Sequence, residues 1–358
     1  MLDLSDRKSC FYWQTDRNLT VEDYDKYFLR RHELSDLEIK NILNKGIKSI
    51  HNIDNIEIIS PNESILKGNV NIVRKIKLND DAYVARMHPR GIKNGYFFVE
   101  KLALDMARNN ILVPKVIEIH EAIDESDMDF MLMTAVDGIT MDLTIKENPN
   151  IEGALLEQAG GIMANIHKIK VDGYGSFDNE IAKCENKLVG LHTNYQEFIW
   201  CGLEENLQRL VAFNVIDELQ SKKLFDIFNN YNFEPIDVPR LIHNDFADWN
   251  ILVNEGYISG ILDWDECHGG DPIADLACWS TFFDMNRFEK FVNGYCKEAK
   301  LPSDFDLRFH YYRLRYTISK MALRVKKALV DHSEFVKEKI QVGRVALIEE
   351  MDWFNTKM

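Results

Sequence analysis

The chain has 358 residues, which is long enough for two domains at roughly 100–200 residues per domain. Apolar residues make up 46% and charged residues 28%, a balance typical of a folded globular protein and not of a disordered chain. Because 43 Lys and Arg face 58 Asp and Glu, the net charge is −15, which disfavours binding to nucleic acid or to an anionic membrane. The sequence contains no run of about 18 apolar residues, so no membrane-spanning helix is predicted.

The cysteines are predicted to be free thiols in a reducing cytoplasm, since no signal peptide precedes them and none forms a C-x-x-C pair. They are Cys10, Cys184, Cys201, Cys267, Cys278 and Cys296. Cys267 and His268 are adjacent, but no second ligand pair lies at zinc spacing, so we expect no metal there.

In the first 137 residues, the pattern predicts a helical extension over residues 1–50 and then an antiparallel sheet. Thr20 and Ser35 each begin a capping-box pattern, and Gly46 is a candidate C-cap. Runs rich in β-branched residues predict strands, with one helix among them. The strands are predicted over 56–60, 65–77, 82–87, 116–120 and 130–134, and the helix over 96–109.

Residues 138–358 predict a second, mainly helical lobe, so the fold class is α+β with a cleft near Asp137. Amphipathic patterns predict helices over 155–168, 196–210 and 215–229, and 285–358 reads as almost entirely helical. The exception is 240–271, where short apolar runs alternate with polar turn residues.

This exceptional stretch carries the candidate chemistry. The segments LIHNDFADWNILV and ILDWD place short apolar runs beside His243, Asp245, Asn250 and Asp263. The apolar runs predict short buried strands that hold these polar side chains on rigid flanks. Phosphoryl transfer from a nucleotide needs such a set, because one carboxylate orients and deprotonates the acceptor hydroxyl while carboxylate and amide oxygens hold magnesium.

The H-x-D-x-x-x-x-N spacing matches a kinase catalytic loop, and the aspartate after it stands where a further magnesium carboxylate is needed. MTAVDG at 133–138 precedes this loop, and GGDPIADLA at 269–277 follows it. In this order the motifs resemble the aminoglycoside phosphotransferase family, the small-molecule branch of the protein-kinase-like fold. The resemblance implies two lobes, an antiparallel-sheet N-lobe over 1–137 that binds the nucleotide and a mainly helical C-lobe over 138–358.

The resemblance also implies a role for each residue. Asp245 would be the catalytic base, or the group that positions the acceptor hydroxyl. His243 would brace the loop, a role close to that of an ordinary buried histidine. Asn250 and Asp263 would bind magnesium, and Asp265 would either assist at the metal or make only local hydrogen bonds.

Asp271 is predicted to buttress the catalytic loop or simply to cap the next helix. Only residues 264–270 separate it from Asp263, which leaves no room for the long activation segment of a protein kinase. The acceptor is therefore expected to be a small molecule and not a peptide.

The first lobe is expected to hold the nucleotide. Side chains alternate along AYVARMH, so Val84 and Arg86 share one face of a strand. If that face looks into the cleft, Val84 covers the adenine and Arg86 reaches the phosphates, with Glu100 as its partner. Gly68 and Asn69 would form the turn over the phosphates.

Base recognition is expected from the segment that joins the lobes. Met133 would line the base pocket, and backbone groups of Thr134, Ala135 and Val136 would bind the base, which leaves ATP and GTP both open. The chain has no G-x-x-x-x-G-K-[ST] pattern, which argues against a P-loop enzyme.

The function predicted first is an ATP- or GTP-dependent, Mg²⁺-dependent O-phosphotransferase whose small-molecule acceptor is cationic, with an aminoglycoside as the leading guess. A metabolic kinase of choline, homoserine or sugar type is the alternative, and a non-catalytic nucleotide sensor is the second. The protein is expected to be a monomer or a small homo-oligomer. Candidate acceptor contacts are the carboxylates Glu204, Glu205, Asp248 and Glu266 and the rings of Trp200, Trp249 and Trp279.

Overall fold

The computed structural model of the chain describes residues 2–17, 19–26, 34–50, 55–59, 71–124, 127–231 and 238–357. The N-terminal part contains β1 (Leu2–Asp3), α1 (Trp13–Asp16), α2 (Val21–Tyr24), α3 (Asp36–Gly46), β2 (Ile56–Ile58), β3 (Ile72–Leu78), β4 (Asp81–Met87), β5 (Ile92–Lys93), α4 (Phe97–Ala107), β6 (Val116–His120) and β7 (Phe130–Thr134).

The rest of the described chain is mainly helical, with short strands around its polar motifs. Its elements are β8 (Ile139–Thr140), α5 (Met141–Glu147), α6 (Glu152–Ile166), β9 (Tyr174–Phe177), α7 (Asn179–Glu185), β10 (Gly190–His192), α8 (Tyr195–Trp200), α9 (Leu203–Ala212), α10 (Glu218–Asn230), β11 (Arg240–Ile242), β12 (Ile251–Asn254), β13 (Tyr257–Ile261), β14 (His268–Gly270), α11 (Pro272–Ser280), α12 (Met285–Cys296), α13 (Phe305–Lys327) and α14 (Glu334–Asn355). Single turns of 3-10 helix cover Pro149–Ile151 and Asp248–Asn250.

The N-lobe is built on a sheet with strand order β2–β3–β4–β7–β6, in which every neighbouring pair is antiparallel. Ala85 and Met87 of β4 are buried in one core with Ile39 and Ile42 of α3, so α3 covers one face of this sheet. Since side chains alternate along a strand, Arg86 lies on the opposite face, where it contacts α4 and the C-lobe. The α+β class and the antiparallel N-lobe are confirmed.

The predicted strand over 65–77 is β3, which begins at Ile72. Gly68 and Asn69, expected to turn over the phosphates, lie outside the described residues. Their expected role therefore stays a prediction.

The helix-start signals of the N-terminal part are confirmed, whereas one helix-end signal is wrong. Thr20 and Ser35 both form complete capping boxes. Gly46 is the last residue of α3, and Ile47 takes the C-cap position. A Cβ at Gly46 would overlap the Phe130 ring, so the glycine lets α3 approach the sheet closely.

The C-lobe is held together by close helix packing. Gly160 of α6 and Gly294 of α12 face each other's helices, and a Cβ at either one would collide with backbone of the opposite helix. Gly161, one residue further along α6, has room for a Cβ, which would come no nearer than 3.8 Å to its neighbours. The close α6–α12 contact therefore depends on these two glycines.

The helix predicted over 196–210 is wrong, because the structure has two helices there. Gly202 adopts a left-handed φ of 67° between α8 and α9. The backbone carbonyls of Ile199 and Cys201 accept hydrogen bonds from Arg315 of α13 instead of continuing the helix. The helices predicted over 155–168 and 215–229 are α6 and α10 to within a few residues, and α10 begins after Asp217 because that side chain caps it. The stretch 285–358 is divided into α12, α13 and α14, and α5 and α7 were not predicted.

Two further expectations concern the whole chain. Among the described residues, no helix is both long and apolar enough to cross a bilayer. All six cysteines lie within the described residues, and none is in a disulfide.

Candidate active site

The loop after β11 is fixed by a carboxylate on α11. Asp275 lies in the first turn of that helix and is fully buried. It accepts hydrogen bonds from the backbone N–H groups of His243 at 2.9 Å and Asn244 at 3.0 Å, and from His167 Nε2 at 3.2 Å. Asn244 has a left-handed φ of 68°, so these contacts also hold a backbone conformation that most residues avoid.

Within this loop, Asp245 and Asn250 are in direct contact. Asn250 Nδ2 donates to both the backbone oxygen and Oδ2 of Asp245, each at 2.9 Å. The Asp245 N–H faces His243 Nδ1 at 3.3 Å, so His243 Nε2 carries the proton and donates to the Leu262 carbonyl at 3.0 Å. The histidine therefore links the loop to the residue that precedes Asp263.

Burial controls the protonation of this loop. Burial lowers the pKa of His243 to about 4, so its imidazole is neutral near pH 7. Burial also raises the pKa of Asp245 well above its ordinary value, and the nearby carboxylates of Asp263 and Asp265 raise it further. A carboxyl whose pKa is raised in this way is a better proton acceptor than an ordinary aspartate.

Opposite the loop that carries Asp245, one arginine side chain contacts three carboxylates. Arg86 Nη1 donates to Glu100 Oε2 at 2.9 Å, and its Nη2 lies 2.8 Å from Asp263 Oδ1 and 2.9 Å from Asp265 Oδ2. Burial opposes the charge on Arg86, but Glu100, Asp263 and Asp265 outweigh it and raise its pKa. Burial raises the pKa of Glu100 in spite of the arginine. The predicted Arg86–Glu100 contact is confirmed as a buried ion pair.

The carboxylate cluster fits a divalent cation. Oxygen atoms of Glu100, Asp263 and Asp265 all lie within 4.8 Å of one another, and oxygen ligands are those that magnesium prefers. Asp263 is the most exposed of the three, with 40% of its side chain accessible. Asn250 uses its amide nitrogen on Asp245, so its Oδ1 is left for another partner. Glu100 is an addition to the predicted ligands and, like Asp263 and Asp265, it is paired with Arg86.

The residues predicted to bind the base lie together where the lobes join. Val84 is paired with Met133 across β4 and β7, and both side chains are half-buried. Thr134 ends the strand, and the Ala135 N–H donates to the Ala82 carbonyl at 3.2 Å. Val136 follows at the start of the connection to β8, which pairs with β12 of the C-lobe.

The candidate acceptor contacts are divided by the structure. Asp248 is buried and forms an ion pair with Arg287, and Trp279 is a core residue with 1% exposure, so neither is open to an acceptor. Trp249, in contrast, is 45% exposed beside Asn250 and packs edge-on against Phe282.

The other candidate acceptor contacts differ in exposure. Glu266 is buried directly after Asp265. Glu204 and Glu205 lie exposed in the first turn of α9, and Trp200 packs against Phe225.

Two contributors to the site were missed in the sequence. Asp271 caps α11 and accepts from Arg308 and the Tyr312 hydroxyl, whereas the buttress of the loop is Asp275, four residues later in the same motif. Lys320 of α13 is buried with its Nζ on Thr281 Oγ1, and burial lowers its pKa while the charge of Asp245 opposes this. Asp275 lies in the GGDPIAD motif, which could have indicated it, whereas no local sequence pattern indicates Lys320.

Comparison with known proteins gives three consistent findings. The sequence model of the phosphotransferase enzyme family matches residues 64–315. Human acyl-CoA dehydrogenase family member 11 is 28% identical over 198 residues, which cover 52% of this chain and 23% of that protein. Hygromycin-B 4-O-kinase of Escherichia coli is 22% identical over 204 residues, which cover 55% of this chain and 56% of the kinase. The chain thus matches only part of the length of either relative.

Solved structures share the fold. The crystal structure of aminoglycoside phosphotransferase APH(4)-Ia superposes with a TM-score of 0.61 at 18% identity, covering 87% of this chain and 99% of that one. The two-lobed, protein-kinase-like architecture expected from the motifs is thereby confirmed. Because the family match spans most of the chain and includes every polar motif of the cleft, the chain belongs to the phosphotransferase enzyme family.

Proposed function

We propose that the chain transfers the terminal phosphoryl group of ATP or GTP to a hydroxyl group of a small molecule, with magnesium as the cofactor. The observation that carries the proposal is the pairing of Asp245 with Asn250 in a buried, anchored loop. The Arg86–Asp263–Asp265 cluster also supports the proposal. It places a guanidinium group that can bind phosphate beside two carboxylates that can bind magnesium.

On the acceptor side, Asp245 is proposed as the base. It accepts the proton of the acceptor hydroxyl while that oxygen attacks the terminal phosphorus, and the bond to the leaving nucleotide oxygen breaks. Asn250 holds the carboxylate through Oδ2, and its remaining oxygen is proposed as a magnesium ligand with Asp263 and Asp265. His243 stays neutral and keeps the loop in place.

On the nucleotide side, Arg86 is proposed to contact the phosphates, with Glu100 fixing its position from α4. An arginine suits this place because its planar group can serve several oxygen atoms at once. Bound magnesium would supply neutralisation of the charge that spreads over the transferred group. Val84, Met133 and the backbone of 134–136 are proposed to hold the base.

An aminoglycoside is proposed as the first acceptor to test. In support, the Escherichia coli relative is named for phosphorylating hygromycin B, and a ternary complex of an APH(4)-Ia variant contains AMP-PNP and hygromycin B. The exposed acids of α9, Glu204 and Glu205, are the candidate carboxylates that the structure leaves open to a cationic acceptor.

A metabolic kinase is the second candidate, and the aromatic wall beside the loop is equally compatible with it. Trp249 is exposed next to Asn250, and Phe282 and Phe283 pack against it. Such a wall suits the ring of a sugar or a quaternary ammonium group as well as it suits an antibiotic. A non-catalytic nucleotide sensor on the same fold would retain nucleotide binding without transfer.

The experiment uses the full chain with Mg-ATP and Mg-GTP and a panel of aminoglycosides, choline, homoserine and sugars. We expect one acceptor class to raise nucleotide consumption, and Asp245→Asn to lower kcat by about 10³-fold or more with nucleotide binding retained. Unchanged turnover in Asp245→Asn would contradict the base assignment. Nucleotide binding without turnover on any acceptor would favour the sensor.

The roles of the two lobes and the location of the protein in the cell are also proposals. We propose residues 1–137 as the nucleotide-binding lobe with its extension and 138–358 as the acceptor lobe, with the joint near Asp137, whose carbonyl accepts from Ser259 Oγ of the C-lobe. A cytoplasmic location is proposed on the six unpaired thiols.

A further inference from the structure

We call residues 2–17 the N-terminal segment. It lies outside residues 64–315, the stretch that matches the family, and its first residues contact the N-lobe. Leu2 and Asp3 form β1, which pairs in parallel with Ile92 and Lys93 of β5. The next residue after β5 is Asn94, and α4 with Glu100 follows within a few residues. The segment is therefore attached where the chain enters the helix that fixes Arg86.

The other end of the segment is attached to the C-lobe. The Asp16 carboxylate accepts from Asn206 Nδ2 of α9 at 2.9 Å and from Ser319 Oγ of α13 at 3.3 Å. Lys326 Nζ of α13 donates to the Thr15 carbonyl at 3.0 Å. The N-terminal segment thus connects the two lobes across one side of the molecule.

Arg7, in the middle of this segment, reaches the carboxylate cluster. Its guanidinium lies 3.7 Å from the ring centres of both Trp13 and Tyr96, and the residue is 2% exposed. Its Nη1 donates to the Asp265 carbonyl and its Nη2 to Asn94 Oδ1, each at 2.8 Å. Since it is stacked on two rings and donates in two directions, the group has one fixed orientation.

The same contacts restrain the loop that carries the cluster. Asp265 is held at its carbonyl by Arg7 and at its carboxylate by Arg86. Two residues later the Cys267 carbonyl accepts from the hydroxyl of Tyr96, the ring on which Arg7 stacks. Loss of the Arg7 guanidinium would therefore free the backbone of Asp265 and remove the packing partner of Tyr96.

We propose that Arg7 is a positioning residue that sets the Asp265 carboxylate for magnesium and ties this setting to the N-lobe through Asn94. The inference rests on the proposed function and adds to it a part of the chain outside the matched family region. Arg7 acts through Asp265 and is not itself placed against the nucleotide.

The test measures ATP binding to the full chain by calorimetry while Mg²⁺ is varied. Arg7→Lys keeps the charge but cannot stack flat on both rings and reach both acceptors, and Arg7→Gln removes the charge. Lys8→Ala is the matched control, because the Lys8 side chain is exposed and the hydrogen bonds of this residue are made by its backbone. Asn94→Ala removes one acceptor and leaves Arg7 in place.

We expect the Mg²⁺ concentration for half-maximal ATP binding to rise about 10-fold in Arg7→Lys, the equivalent of one lost hydrogen bond to a fixed charge, and further in Arg7→Gln. Binding measured without Mg²⁺ should stay near that of the Lys8→Ala control, with every variant assayed below the onset of its own melting transition. Asn94→Ala should shift the Mg²⁺ dependence in the same direction by less.

A folded Arg7→Lys protein with the Mg²⁺ dependence of the wild type would overturn the inference and leave the proposed function standing. Equal weakening of binding with and without Mg²⁺ would also overturn it, since a general loosening of the cleft would then explain the effect. If the wild type binds neither ATP nor GTP in a Mg²⁺-dependent manner, the proposed function fails, and the inference fails with it.

Discussion

Asp275→Asn is the substitution that tests the anchoring of the catalytic loop most directly. The carboxylate now accepts from two backbone N–H groups through different oxygens, those of His243 and Asn244, and from His167. An asparagine of nearly the same shape keeps one acceptor oxygen and places an NH₂ group against the second donor. The perturbation is therefore confined to charge and hydrogen bonding, with no change in volume.

The magnitude follows from these contacts. A hydrogen bond to a buried charge contributes about 1.5–3 kcal/mol, and leaving a buried donor unpaired costs about 1–3 kcal/mol. Asp275→Asn loses one such bond and weakens those that remain, so we expect the free energy of unfolding to fall by about 2–4 kcal/mol. Because the loop carries Asp245, kcat should also fall by roughly 10- to 100-fold at temperatures where the variant is folded.

The assay is urea unfolding followed by fluorescence, with kcat measured well below the melting transition. Glu289→Gln provides the control, because it removes the same charge from an exposed position on α12. A stability loss below about 0.5 kcal/mol for Asp275→Asn, the range of ordinary surface changes, would refute the anchoring role. A loss of stability with full kcat would show that the loop holds its shape without this carboxylate.

Other predictions test the remaining features. Glu100→Gln should raise the apparent KM for the nucleotide about 10-fold, since its arginine partner is then drawn toward the magnesium carboxylates, and steady-state kinetics will measure this. Gly160→Ala should destabilise the fold by about 2–4 kcal/mol and its neighbour Gly161→Ala by none, compared by melting temperature. Burial lowers the pKa of both His243 and His268 to about 4, so the unfolded chain binds protons first as the pH falls from about 6.5. Each of these histidines therefore makes stability fall toward pH 4, against the buried carboxyls whose pKa values are raised, and His268→Gln should change the slope of stability against pH by up to about 1.4 kcal/mol per pH unit relative to wild type in unfolding titrations.

Sequence reasoning succeeded where the determinants are local. The H-x-D-x-x-x-x-N spacing brings Asp245 and Asn250 into contact because a short loop and one 3-10 turn connect them. The alternation of β4 put Val84 and Arg86 on one face, which the structure places opposite the α3 core, and the helix that follows supplied Glu100. The capping boxes are likewise set by residues three apart.

It failed where the deciding contact is distant in sequence. The pattern over 196–210 is amphipathic throughout, but Arg315 takes the carbonyls that would extend α8. The sequence left Asp271 as either the buttress of the loop or the cap of the next helix; the structure shows the cap, and the orientation of α11 makes Asp275 the buttress. Periodicity shows which face of a helix is buried, but it does not show which partner that face meets.

The N-terminal segment shows most clearly that the local sequence does not reveal a distant partner. Nothing in the local sequence around Arg7 distinguishes it from an ordinary surface cation, and the aspartate it contacts is 258 residues away. Its burial is stabilised by two rings, one from the segment itself and one from the entry to α4. A buried arginine needs acceptors in fixed positions, and here both acceptors belong to elements that must be placed correctly for Arg86 and Asp265 to meet. The contacts of Arg7 therefore require the same relation between the two lobes that brings Arg86 to Asp265.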